Sequence, residues 1–136
     1  MKVLRSETIP MRTEDQVVVA RQVVRKWAVE AGLRLVDQTK LVTATSELAR
    51  NTVIHGGGGT VLIEMLLNES RQGIRITFED QGPGIPDLEL AMKDGYSTKG
   101  GLGLGLSGSR RLVNEFEIHS RPGEGTRIII IKWKQL

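Results

Sequence analysis

The sequence has no cysteine, which removes disulfide bridges, cysteine-ligated zinc and thiol nucleophiles together. Histidine is nearly as scarce: His55 and His119 are the whole supply of soft metal ligands. Aromatic residues make up 4% of the chain, too few to interleave with basic side chains as a nucleic-acid-binding face requires. No apolar run approaches the ~18 residues of a membrane-spanning helix. The opening MKVLRSETIP also lacks the apolar stretch of a secretion signal. These absences predict a cytoplasmic protein that engages neither membrane nor nucleic acid.

The composition is that of a globular protein, with 39% hydrophobic and 26% charged residues over a length of 136. That length predicts one domain spanning 1–136. Charge is unevenly spread, basic at both ends and acidic in the middle, a distribution compatible with an acidic protein partner or simply with a mixed solvated surface. Glycine is the outlier: 16 of 136 residues against a usual share of roughly 7%. The glycines gather at 56–59, 82–84 and 95–108, and glycine concentrated in loops marks close backbone approach, often to phosphate.

Val3, Arg5, Glu7 and Ile9 frame a short edge strand that Pro10 is expected to end. Thr13 and Gln16 read as a capping box, and Val17, Ala20, Val24, Trp27 and Ala28 recur at helical spacing up to Gly32, a C′ residue. Asp37 is expected to cap a second helix that carries Leu41, Ala44 and Leu48 on one face and ends near His55. Thr60–Leu67 and Ile74–Glu79 read as a hairpin, Leu88–Met92 as a helical turn, Arg110–Val113 as part of a third helix, and Glu115–Ser120 and Thr126–Trp133 as closing strands. This order predicts an α/β (α+β) two-layer sandwich: a mixed, mostly antiparallel sheet with helices on one face.

Gly103, Gly105 and Gly108 spell G-x-G-x-x-G, but polar YSTKGGL precedes them where a dinucleotide fingerprint needs a buried strand, and no alternating βαβ units surround them. A Walker A sequence is absent as well. On the second helix, Glu47 and Asn51 are four residues apart and share a face at the border of core and solvent. There a carboxylate can take a proton, and an amide oxygen one turn away can ligate a hard cation such as Mg²⁺. Any E-x-x-x-N pair on an exposed helix would look the same, so the pair alone decides little.

Order decides more. The helix bearing SELARN is followed by a hairpin, then DQGPGIPD, then DGYSTKGGLGLGLSGSRRLVNEF, with Gly125-Thr126 opening the last strand. Together these resemble the N, G1 and G2 boxes and terminal threonine of the GHKL (Bergerat-fold) ATPases. Within that superfamily they look most like the RsbT-type serine/threonine kinases of bacterial stressosome partner-switching modules, with the anti-sigma kinases more distant.

The resemblance implies ATP and Mg²⁺ as cofactors and serine/threonine protein kinase activity. It makes Glu47 the catalytic base, Asn51 the Mg²⁺ ligand and Asp80 the acceptor for the adenine amine. Gly82, Gly84 and Ile85 would lie along the base and Thr126 would complete its pocket. Ser97, Thr98, Lys99, Gly101, Leu102, Gly103, Leu104 and Gly105 would form the lid over the phosphates. The implied substrates are STAS-domain antagonist and scaffold proteins, and the freed kinase would activate a downstream phosphatase or other output protein. The competing expectation is a non-catalytic binder that sequesters a partner such as a sigma factor, with ATP as a structural ligand.

Overall fold

The computed structural model describes residues 1–93 and 105–135. The elements run β1 (Lys2–Met11), α1 (Glu14–Glu30), α2 (Leu35–Ile54), β2 (Gly59–Asn68), β3 (Arg71–Asp80), α3 (Leu88–Ala91), α4 (Gly105–Arg111), β4 (Glu115–Ser120) and β5 (Thr126–Trp133). The strands form one sheet in the order β1-β2-β3-β5-β4. The expected sheet was mixed and mostly antiparallel; all four ladders among the described residues are antiparallel. β2–β3 and β4–β5 are hairpins, and β5 inserts between β3 and β4 running against both.

Period-two alternation turns Val61, Ile63 and Met65 of β2, Ile74, Ile76 and Phe78 of β3, and Ile128 and Ile130 of β5 onto one face. There they pack with Val17, Val24 and Trp27 of α1 and Leu41, Ala44 and Leu48 of α2. The opposite face carries a separate small cluster of Leu66, Ile131 and Trp133. The helices are thus on one side, as expected. Among the described residues no helix is long and apolar enough to cross a membrane.

Both ends of α1 follow the sequence. Thr13 Oγ1 accepts from Gln16 N at 3.4 Å, while Gln16 Oε1 accepts from Thr13 N at 3.2 Å, closing the capping box. At the other end Leu33 N donates to Ala28 O and Gly32 N to Val29 O, the paired bonds of a Schellman turn. β1 differs from expectation. It continues through Pro10, paired with Thr60, to Met11. β1 is an edge strand, and an edge tolerates a residue without an N–H.

Asp37 is not the cap of α2. The helix starts at Leu35 after Arg34, and Asp37 lies in its first turn. It is buried, with Arg34 Nε at 3.3 Å and Lys132 Nζ at 3.4 Å. Lys132, itself buried, also donates to Leu112 O at 3.2 Å, so one ammonium joins the start of α2, strand β5 and the turn after α4. Burial alone would raise the Asp37 pKa; the hydrogen bonds and charges of Arg34 and Lys132 outweigh it and hold the carboxyl below its ordinary value. Lys132→Met keeps the stem and removes the charge. We expect it to cost about 2–4 kcal/mol in chemical denaturation at neutral pH, because an ionised Asp37 stays buried with one partner fewer. A depressed carboxylate contributes stability above its unfolded pKa and loses it as pH falls through the folded value. The gap between variant and native protein should therefore narrow in acid.

Candidate functional site

α2 has one face that does not meet the sheet squarely. Leu48, Asn51, Thr52 and His55, at helical spacing, line a cavity of 350 Å³. Phe78 and Asp80 at the end of β3, and Thr126 and Ile128 at the start of β5, form its floor. Gly84, Ile85, Leu90, Ala91 and Leu106 close the rest. Apolar walls with a few fixed polar groups are what a small-molecule site requires. A wider groove of 520 Å³ at the same end of the sheet is lined by Glu79, His119, Arg121, Glu124 and Arg127, charges of both signs on an open surface.

Asp80 is the buried carboxylate of the cavity. Burial pushes its pKa up, and the N–H groups of Gly82 and Thr126 oppose that rise; the nearby Glu79 charge adds to it. Gly82 N donates to Oδ1 at 2.9 Å. Room for the carboxylate comes from Gly56, just past the end of α2, where a Cβ would lie 2.4 Å from Asp80 Cγ. Helix end, strand end and loop therefore fix the acid jointly.

The glycines of DQGPG are held by contacts within the protein. At Gly82 a Cβ would come within 2.6 Å of Gly56 O, so its space is taken by protein backbone, and Gly82 is not among the cavity walls. Gly84 does line the cavity, with φ +76°, and a Cβ there would run into Arg121 O at 2.0 Å. Loop-to-loop packing therefore requires glycine at both positions. Ile85 is anchored by its N–H to Ser120 Oγ at 2.8 Å. Ser120 in turn contacts Gly125 O at 3.0 Å and Thr126 Oγ1 at 2.8 Å. With its single proton on Gly125 O, Ser120 must receive the proton of Thr126. Thr126 then presents lone pairs, acceptors for a ligand's donor, toward the cavity. Ser120 and His55 were not among the expected site residues; the direct register of Ser120 with Thr126 across β4–β5 is the signal that points to the serine.

Glu47 departs from its expected place at the border of core and solvent. It is fully buried and does not line the cavity. Four residues from Asn51, it is turned about 40° from it around the helix axis, so the carboxylate flanks the wall on which the amide stands. Its neighbour Arg50 reaches Glu14 at the start of α1, at 3.5 Å. Gly105 opens α4 with φ +66° and is buried. Ser97, Thr98, Lys99, Gly101, Leu102, Gly103 and Leu104 lie outside the described residues.

The chain belongs to the family described as histidine kinase-, DNA gyrase B- and HSP90-like ATPases, which it matches over residues 36–135. Within that class it is 49% identical to the serine/threonine-protein kinase RsbT of Bacillus subtilis (strain 168) over 125 residues, covering 92% of this chain and 94% of that protein. It is also 31% identical to the anti-sigma F factor of Thermoanaerobacter sp. (strain X514), over 84% of this chain and 82% of that one. Among solved structures, the RsbU and RsbW domains of Rv1364c from Mycobacterium tuberculosis superpose with a TM-score of 0.62 at 20% identity. That match covers 96% of this chain and about a third (33%) of the other, and shows a shared fold. The expectation of an ATP-using protein serine/threonine kinase with partner-switching relatives is borne out at this level.

Proposed function

We propose that this single-domain protein uses ATP and Mg²⁺ in the cytoplasm to phosphorylate a serine or threonine on a STAS-domain antagonist or scaffold protein, and that its release from that protein activates a phosphatase or other output protein. The carrying observation is the partly open, largely apolar cavity with one buried carboxylate, Asp80, set at its floor and one amide, Asn51, on its helical wall. Adenine fits that pairing of apolar wall and buried acceptor, its exocyclic amine donating to Asp80 and Thr126 supplying a second polar contact. Ile85 and Gly84 would lie beside the base. The glycine-rich segment from Gly101 to Gly105, with Ser97, Thr98 and Lys99, is assigned to the phosphates by resemblance.

Magnesium fits the donor set in a limited way. Mg²⁺ takes few protein ligands when phosphates and water complete its octahedron. Among the described residues no group of three histidines or acids could hold a metal; Asn51 would contribute one oxygen, and phosphates and water the rest. Bound there, the ion would neutralise phosphate charge during transfer. Asn51→Ala should leave the fold intact and remove the magnesium dependence of ATP binding, read by calorimetry with and without the metal. Full metal-dependent binding and turnover in the variant would remove Asn51 from the site.

A second reading is a binder that sequesters its partner and holds ATP structurally. The anti-sigma F factor relatives favour it. Incubation with ATP and the STAS proteins encoded beside this chain, followed by intact mass measurement, separates the two. Kinase activity adds one phosphoryl mass to a STAS protein, whereas the binder leaves every mass unchanged.

A further inference from the structure

The exposed apolar side chains are not scattered evenly. Apart from Met1 at the terminus, the three most exposed large hydrophobic residues among those described are Leu35 (69%), Val36 (60%) and Val29 (56%). All three stand at one corner, where α1 ends and α2 begins. Asp37 beside them is turned inward to Lys132, so the start of α2 buries its acid and shows its aliphatics. That inverts the usual use of a surface helix turn.

The corner is also basic. Lys26 is one turn from Val29 and Lys40 one turn from Val36 on exposed helix positions. Arg25 reaches across to Gln38 at 3.5 Å, tying the two helices together. The Lys134 side chain lies over Gly32 in the connecting turn. Arg34 is mostly exposed while touching Asp37. The acids nearby are committed: Glu30 pairs with Arg5 at 2.5 Å, and Asp37 is buried.

The corner is far from the cavity. Leu35 and Asn51 lie sixteen residues apart on one helix, about 24 Å along its axis. A substrate hydroxyl must reach the cavity end, so a protein held at the corner is not by that contact the phosphoryl acceptor.

We propose that this corner is a docking surface for a second protein, one that presents an acidic amphipathic helix and is not itself phosphorylated. Its apolar side chains would cover Val29, Leu35 and Val36, and its carboxylates would face Lys26, Arg34, Lys40 and Lys134. Exposed leucine and valine carry no use for a nucleic acid, and the corner shows none of the aromatic residues with which interfacial helices grip a bilayer. Within the proposed kinase module such a partner corresponds to the output protein, but the surface does not depend on phosphoryl transfer.

The test uses the full chain and two double variants, Leu35→Ser with Val36→Ser and Lys26→Glu with Lys40→Glu. All four positions are exposed, and thermal midpoints check that the fold is kept. The probes are the purified products of the genes adjacent to this one, phosphatidylglycerol vesicles and a mixed-sequence DNA duplex. We expect one adjacent protein that gains no phosphate to bind the native chain, more weakly as salt rises. Each double variant should lose at least tenfold of that affinity while ATP binding and any transfer to a substrate stay native. The proposal is overturned if no adjacent protein binds, if binding survives both variants, or if substrate phosphorylation falls with them. Vesicle or DNA binding lost in the variants, without such a protein, would reassign the corner to that ligand and equally overturn it. Absence of all phosphoryl transfer, with the binding loss intact, would count against the kinase reading alone.

Discussion

Glu47→Gln should abolish detectable phosphoryl transfer to a STAS-domain partner while leaving ATP and partner affinity near those of the native chain. In phosphoryl transfer the protein mainly positions groups and neutralises charge, so a base that accepts the hydroxyl proton contributes about 10² to 10⁴ in rate and little binding energy. The amide is the right replacement because Glu47 is fully buried in the face of α2. Alanine there would leave a cavity and confound loss of activity with loss of stability. Glutamine keeps the volume and removes the charge and the ability to take a proton, while turning one acceptor oxygen into an NH₂ donor. Burial adds a second expectation: a partner's hydroxyl can meet Glu47 only after the protein over it rearranges, so transfer should depend on the partner more steeply than ATP binding does. Single-turnover transfer measured by intact mass, beside calorimetry for ATP, gives both readouts. Normal transfer by Glu47→Gln would dismiss the carboxylate as base and turn attention to the sequestering reading.

Legibility in the sequence followed the range of the forces involved. α1 was readable at both ends because its signals are local: Thr13 and Gln16 lie three residues apart, and Gly32 takes the positive φ its place demands. The boundaries of β4 and β5 fell as expected for the same reason, set by alternation and the RPGEG turn. Asp37 was misplaced because its partner Lys132 is ninety-five positions away, and no local pattern tells a cap from a buried ion pair. Glu47 shows the same limit. Helical spacing placed it correctly beside Asn51, but whether that flank meets solvent depends on packing from elsewhere in the chain. Gly82 was legible as a constrained glycine, but the neighbour that excludes a Cβ there, Gly56, is twenty-six positions away and no local pattern names it. The site residue hidden most completely was Ser120, ordinary at the end of an edge strand until the ladder sets it opposite Thr126.

Asp80→Asn should weaken ATP by about 1–3 kcal/mol, roughly five- to 150-fold. The native carboxylate accepts from the N–H groups of Gly82 and Thr126 and keeps further lone pairs for the adenine amine. An asparagine has one acceptor oxygen, so either the loop or the base would face an amide NH₂. Gly56→Ala should reproduce the loss without touching the acid, because its methyl would stand 2.4 Å from Asp80 Cγ and force the carboxylate aside. The acidity of Asp80 supplies an independent check. Its pKa is raised in the fold, chiefly by burial, so the native ligand-free state holds that proton more tightly than the unfolded chain does. This group's contribution to stability therefore rises as pH falls through the unfolded and folded values. ATP affinity should move the opposite way, since a protonated Asp80 is a poorer acceptor, and the fall should begin at a higher pH than for an unperturbed aspartate. Asp80→Asn should lack that titration, which separates it from protonation of adenine itself. Calorimetry across the acid range on native protein and both variants tests the set. Unchanged ATP affinity in Asp80→Asn, or an identical acid profile in the two proteins, would take Asp80 out of the nucleotide site.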